Sequence, residues 1–148
     1  MTTPTRTATG APTAAPTKAP AATRRDFEDL DVGEVRESST RTMTREEMLE
    51  FAGRYDPQWF HADAEAAKGS TFGEVIASGI HTMAIWRQLD HEIAHDIAWI
   101  CGVAWNDVRW RVAVRAGDTL RARPKCPAKR ESGTDPRRGV VDYHYSLV

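Results

Sequence analysis

The sequence predicts an α+β fold, an antiparallel sheet wrapped around one buried helix, and three observations carry that prediction. A capped amphipathic helix lies in residues 44–55. A second helical stretch, 79–89, is apolar around most of its circumference. From residue 103 onward, β-branched and aromatic residues alternate with charges and are broken by turns. A helix apolar nearly all round is a buried helix. In a chain of 148 residues, a sheet is what remains to cover it.

Length and composition set the frame. At this length one domain is expected. Hydrophobic residues make up 41% and charged residues 28%, the balance of a globular chain. The net charge of −1 selects no partner, but its distribution is uneven. Residues 26–106 hold 16 acidic and 6 basic side chains, whereas 107–138 hold 10 basic and 4 acidic. That basic stretch reads as a solvated strand face or as a meeting point for phosphates. It lies beside Trp110 without any nucleic-acid recognition module, so no nucleic-acid partner is expected. No apolar run approaches the ~20 residues that span a bilayer, so no membrane partner is expected either. Cys101 and Cys126 make neither a disulfide framework nor a metal spacing, and Cys101, in an apolar stretch, reads as a buried free thiol. No signal-peptide apolar region is seen, and a reducing cytoplasm fits both facts.

The elements follow in order. Residues 1–25 are rich in Thr, Ala and Pro and have too little apolar surface to offset the entropy of ordering, so a disordered tail is expected, with the domain at 26–148. Residues 34–43 read as a polar strand. Thr44 and Glu47 form a capping box, and Met48, Phe51, Ala52 and Tyr55 make one helical stripe that Asp56-Pro57 ends. Residues 57–78 read as irregular chain with a short helix at 63–67. Ser78 is a good N-cap for the helix from Gly79 to about Leu89. Residues 103–114 read as a strand, 116–118 as a turn, and 119 onward as a second strand. The Pro- and Gly-rich 124–138 reads as a long loop or broken edge. Val140–Val148 is another strand, and it ends the chain as an edge that a partner or a further strand is expected to cover.

Two places carry chemistry. Asp56 and His61 flank a four-residue turn, and a carboxylate and an imidazole held this close can share one water and exchange protons with it. Their separation also suits a helix stop and a structural histidine. Ser78-Gly79 opens the apolar helix, where free backbone N–H groups and the dipole favour negative charge; Gly79 also lets a ligand approach closely. Such an end can stabilise an oxyanion, or it is a plain serine cap. A rival pattern, His91-Glu92-x-x-His95, has the spacing of a zinc hydrolase helix, with Glu92 as base. It lacks an obvious third ligand, for which only His144 or Glu131 offer themselves, and it reads equally as a polar helix end.

Together, residues 55–89 resemble the MaoC-like dehydratases, which include the (R)-specific enoyl-CoA hydratases. That family's signature is Asp, any residue, Asn-Pro, an aliphatic residue and His, followed by a Ser- or His-Gly pair at the central helix. Asp56, His61 and Gly79 fill its places, with a separation of 18 positions from His61 to Gly79. Gln58 stands where the family has Asn, Trp59 where it has Pro, and Glu74 where a small or apolar residue is usual. Phe27–Gly33, Asp107–Trp110 and Val114–Leu120 also resemble family landmarks, so the likeness covers about residues 26–148. The resemblance implies a hot-dog fold, lacking its last strand, that forms a homodimer. It implies reversible hydration of an enoyl thioester, most naturally of coenzyme A. Asp56 and His61 would be the acid–base pair and Gly79 the thioester-oxygen site, with Gln58, Trp59 and Ser78 against substrate. No metal or other cofactor is implied beyond coenzyme A as part of the substrate. A non-catalytic thioester-binding or interaction domain is the alternative.

Overall fold

The structure, a computed structural model, describes residues 24–148. The expected tail lies outside the described residues as far as residue 23, and at its end Arg25 already belongs to the fold. Arg25 N–H donates to the Asp96 carbonyl, its own carbonyl accepts from Ala98 N–H, and its guanidinium pairs with Glu34 at 2.9 Å. The folded part therefore starts one residue earlier than composition indicates, because two carboxylates, Glu34 and Asp96, wait for that cation.

The regular elements are β1 (Arg41–Thr42), α1 (Arg45–Tyr55), α2 (Trp59–Ala62), α3 (Gly79–Ala94), β2 (Thr119–Leu120), β3 (Ala122–Glu131) and β4 (Gly139–Leu147), with short 3-10 turns at Phe27–Asp29 and Ala66–Gly69. β1 pairs antiparallel with β2, and β3 with β4. Residues 33–38 run alongside β3: Cys126 N–H donates to Glu34 O, Arg36 N–H to Pro124 O and Ser38 N–H to Ala122 O. Most of the strand expected at 34–43 is thus present as an extended edge with incomplete pairing. Pro124 accepts from Arg36 but has no N–H to return, which thins the ladder there.

α1 is as the sequence predicts. Thr44 caps it by accepting from Glu47 N–H at 3.2 Å, and Asp56 ends it. α3 is the central helix, and its buried residues His81, Thr82, Ile85, Trp86, Leu89 and Asp90 form one broad face. Ile85, Trp86 and Leu89 pack with Met43, Met48, Leu120 and Ala122 into the main core. The opposite row, Ile80, Ala84 and Gln88, is open to solvent, so burial in the single chain is one-sided. α3 also runs five residues past Leu89, because Ala94 buries with Leu30 and Ile97 in a second cluster.

Three expectations fail in the chain's second half. Residues 124–138 do not form a loop throughout: β3 runs through Pro124 and Pro127 to Glu131. It does so by a bulge, with Lys125 opposite His144 and Ala128 opposite Asp142, leaving one extra residue at Cys126–Pro127. A bulge is where a strand can hold a residue that lacks a ladder donor. Residues 103–111, conversely, form no strand. They find no backbone to pair with among the described residues, and Asp107 breaks the extended run with φ 51°. Their apolar side chains stand in solvent, Val103 at 79% and Trp105 at 63% exposure. Cys101, in the same stretch, is exposed and not buried, while Cys126 is fully buried on the inner face of β3.

Candidate active site

The site lies where the end of α1, the short α2 and the start of α3 converge. Asp56 sits at the C-terminal end of α1, held by its N–H to Ala52 O at 3.0 Å. The next residues do not stay irregular, as their sequence implied. Gln58 caps a single helical turn, Trp59–Ala62, and that turn carries His61 back toward Asp56. His61 Nε2 lies 3.8 Å from Asp56 Oδ2. That is beyond a direct hydrogen bond and suits one water in contact with both. His61 is buried, while the Asp56 side chain keeps 22% exposure.

Each side chain is oriented by a partner. His61 Nδ1 is 2.7 Å from the Ile76 carbonyl. A carbonyl only accepts, so Nδ1 carries the proton and Nε2 is the atom left to face Asp56. Ser78, which is 1% exposed, donates its hydroxyl to Asp56 Oδ2 at 2.6 Å and accepts from Ile80 N–H at 3.2 Å. Gln58 Nε2 donates to Asp56 Oδ1 at 3.3 Å. Thus Asp56, His61, Ser78 and Gln58, all singled out from sequence, come together. Trp59 points outward, 51% exposed, and edges onto Phe60, whose ring in turn meets the His61 ring at 4.5 Å.

Gly79 is the first residue of α3, so its N–H has no partner inside the helix. What approaches it closely is the indole of Trp110. A Cβ on Gly79 would lie 2.7 Å from Trp110 Cε2, and Trp110 Nε1–H donates to the Gly79 carbonyl at 3.1 Å. The sequence marked Trp110 as a family landmark and as the aromatic beside the basic stretch, not as a site residue, and had no signal for the Ile76 carbonyl, which any residue there supplies. It also passed over His81. That imidazole is buried, stacks on Phe51 at 4.4 Å and leaves Nδ1 unpartnered, and burial holds its pKa below the usual histidine value. It lines a groove of about 270 Å³ between α1 and α3 with Arg41, Phe51 and Tyr55, beside the Asp56–His61 pair and not at it.

The rival zinc pattern is split by its surroundings. Glu92 accepts from Ser39 N–H and Oγ, His91 lies 3.0 Å from the Arg87 guanidinium, and His95 contacts the Glu92 carbonyl. No group of three His, Cys, Asp or Glu fit for a metal gathers among the described residues.

Antiparallel strand pairs packed around a central helix, with a carboxylate and an imidazole at the helix's N-terminal end, define the class: this is a hot-dog fold. The chain belongs to the MaoC-like domain family, whose model matches residues 29–146. It is similar to the crystal structure of a MaoC-like dehydratase from Rhodospirillum rubrum, with a TM-score of 0.72 and 32% identity, covering 82% of this chain and 84% of that one. The 3-hydroxyacyl-thioester dehydratase Z of Mycobacterium tuberculosis is 34% identical over 91 residues, 60% of each chain. The uncharacterised protein YdeM of Bacillus subtilis is 36% identical over 59 residues, 40% of this chain and 42% of that one. The matched stretches thus span 42% and 60% of these two relatives' lengths. Among the described residues no helix is long and apolar enough to cross a membrane.

Proposed function

We propose that this chain hydrates an enoyl thioester to the 3-hydroxyacyl thioester, reversibly, with Asp56 and His61 as its acid–base pair. The observation that carries the reading is the pair itself: two groups 3.8 Å apart, each fixed by a separate hydrogen bond. The name of the mycobacterial relative supports the same chemistry. One member of the pair takes a proton from water as its oxygen bonds to C3. The π-electron pair of C2–C3 shifts toward the thioester carbonyl, and the proton taken from water passes through the acid–base pair to C2. The Gly79 N–H, at the positive end of α3, faces the charge that develops on the thioester oxygen. Ser78 and Gln58 hold Asp56 in place, and Trp59 borders the entrance.

The addition is redox-neutral and both proton movements have a residue, so the substrate's coenzyme A is the sole cofactor-derived group. The protein works as a homodimer: Trp99, Ile100, Val103, Trp105 and Val112 form an exposed apolar run that a second copy would cover. A reducing cytoplasm suits its two free thiols.

The test is loss of crotonyl-CoA absorbance at the enoyl-thioester band. Wild type is expected to consume it, and Asp56→Asn and His61→Ala each to lose about 10²–10⁴-fold in kcat while remaining folded. Unchanged turnover in either variant removes that residue from the mechanism. Chelators are expected to have no effect; activity lost to a chelator and restored by zinc would transfer the role to His91 and His95.

A further inference from the structure

We propose that Trp110 is a positioning residue for the planar enoyl thioester, an inference that rests on the hydratase reading above. The indole fills the space that any side chain at position 79 would need, with Cε2, Nε1 and Cζ2 at 2.7, 2.8 and 3.1 Å from an ideal Cβ. Its Nε1–H is tied to the Gly79 carbonyl at 3.1 Å. One side chain therefore walls the first residue of α3, next to the Ser78 hydroxyl that holds Asp56. Whatever lies against the Gly79 N–H has this ring as its neighbour.

Trp110 is nonetheless 54% exposed, and it reaches the site from a stretch without regular structure. An indole with a free surface at this place offers a flat, weakly polar surface. A conjugated enoyl thioester is flat and can lie along it; the 3-hydroxyacyl product has a tetrahedral C3 and cannot match it as well. The ring then acts on the enoyl side of the reaction. This gives Gly79 a second reason to be glycine: besides offering its N–H, it makes room for the indole.

The kinetic signature follows from the fixed overall equilibrium. An interaction made with the enoyl form and the transition state, and not with the product, appears in KM for hydration and in kcat for dehydration. Trp110→Ala is expected to raise the hydration KM about tenfold with kcat held, and to lower the dehydration kcat by a similar factor with KM held. Trp110→Phe, which keeps a flat ring, is expected to retain most of the wild-type values. Gly79→Ala is expected to be severely impaired through the clash with the indole, and Gly79→Ala/Trp110→Ala to be less impaired than Gly79→Ala alone.

Equal losses of kcat in both directions, with a lowered melting temperature, would reduce Trp110 to a structural role and overturn the proposal. So would unchanged constants in Trp110→Ala. If wild type leaves crotonyl-CoA intact, the hydratase reading falls, and the same compound then serves as a stable probe. A change in indole emission on its addition, present in wild type and lost in Trp110→Phe, would still support the position of Trp110. No emission change in wild type would end both.

Discussion

Ser78 does three things with one residue. Its hydroxyl caps α3 through Ile80 N–H, the same hydroxyl donates to Asp56 Oδ2, and its carbonyl accepts from Thr82. Ser78→Ala removes both side-chain roles. A hydrogen bond to a charged group is worth about 1.5–3 kcal/mol, so kcat is expected to fall by roughly 10–150-fold if the Asp56 orientation matters to turnover. Loss of the cap costs about 1 kcal/mol of stability. Ser78→Gly, which removes the hydroxyl but costs a cap only a few tenths of a kcal/mol, separates the two effects: loss of kcat with stability nearly kept assigns the loss to Asp56. At this scale the candidate site was largely readable. Asp56, His61, Ser78 and Gly79 carry their chemistry in their side-chain type or in their place at a helix end. The Ile76 carbonyl that orients His61 has no letter in the sequence, and Trp110 reaches Gly79 across 31 residues of chain, a distance no local pattern covers.

Among the elements, the helices were legible because caps and stripes are local. Thr44 at the start of α1 shows this, and it yields a clean check: Thr44→Ala is expected to lower stability by about 1 kcal/mol, a drop of about 4 °C in Tm, with kcat unchanged. A loss of activity without loss of stability would mean that α1 does more than carry Asp56. The strands were read less well, and for identifiable reasons. Pro124 and Pro127 look like breaks, yet β3 passes them with one bulge, since pairing with β4 continues on both sides of it. Residues 103–111 have the composition of a strand, but a strand is defined by its neighbour, and among the described residues there is none. The same reasoning explains the partly formed 34–43 edge, which shares β3's proline-thinned side.

The whole molecule is held together at one end by an ionic cluster. Arg25 and Arg36 bridge Glu34 and Asp96, and Arg36 also donates to the Ile93 carbonyl. The Arg25 guanidinium holds the Glu34 carboxyl below its ordinary value of 4.5, and Arg36 holds that of Asp96 below 3.8. A carboxylate whose pKa is lowered by folding contributes stability above its unfolded value and loses it as pH falls through the lowered one. The urea midpoint is therefore expected to decline as pH drops below about 4.5, and Asp96→Asn to flatten that decline. Asp90 opposes the trend: burial raises its carboxyl pKa, so its contribution is greatest in acid and fades as pH rises above 3.8. An acid limb identical in wild type and Asp96→Asn would show that the cluster is not what titrates. On assembly, the exposed side chains Trp99, Ile100, Val103, Trp105 and Val112, apart from the Trp110 ring at Gly79, predict sedimentation at twice the chain mass, and Trp105→Asp is expected to yield monomers. Sedimentation of Trp105→Asp as a dimer would place the contact elsewhere.

The contrast between the two thiols has a practical side. Cys126 is sealed against the core, and Cys101 stands in solvent within the apolar run. A maleimide reagent has Cys101 as its address on a lone chain, and a second copy seated on the apolar run would shield it. The rate of that labelling, falling as protein concentration rises, would turn the association of two copies into a measurable quantity without any engineered residue.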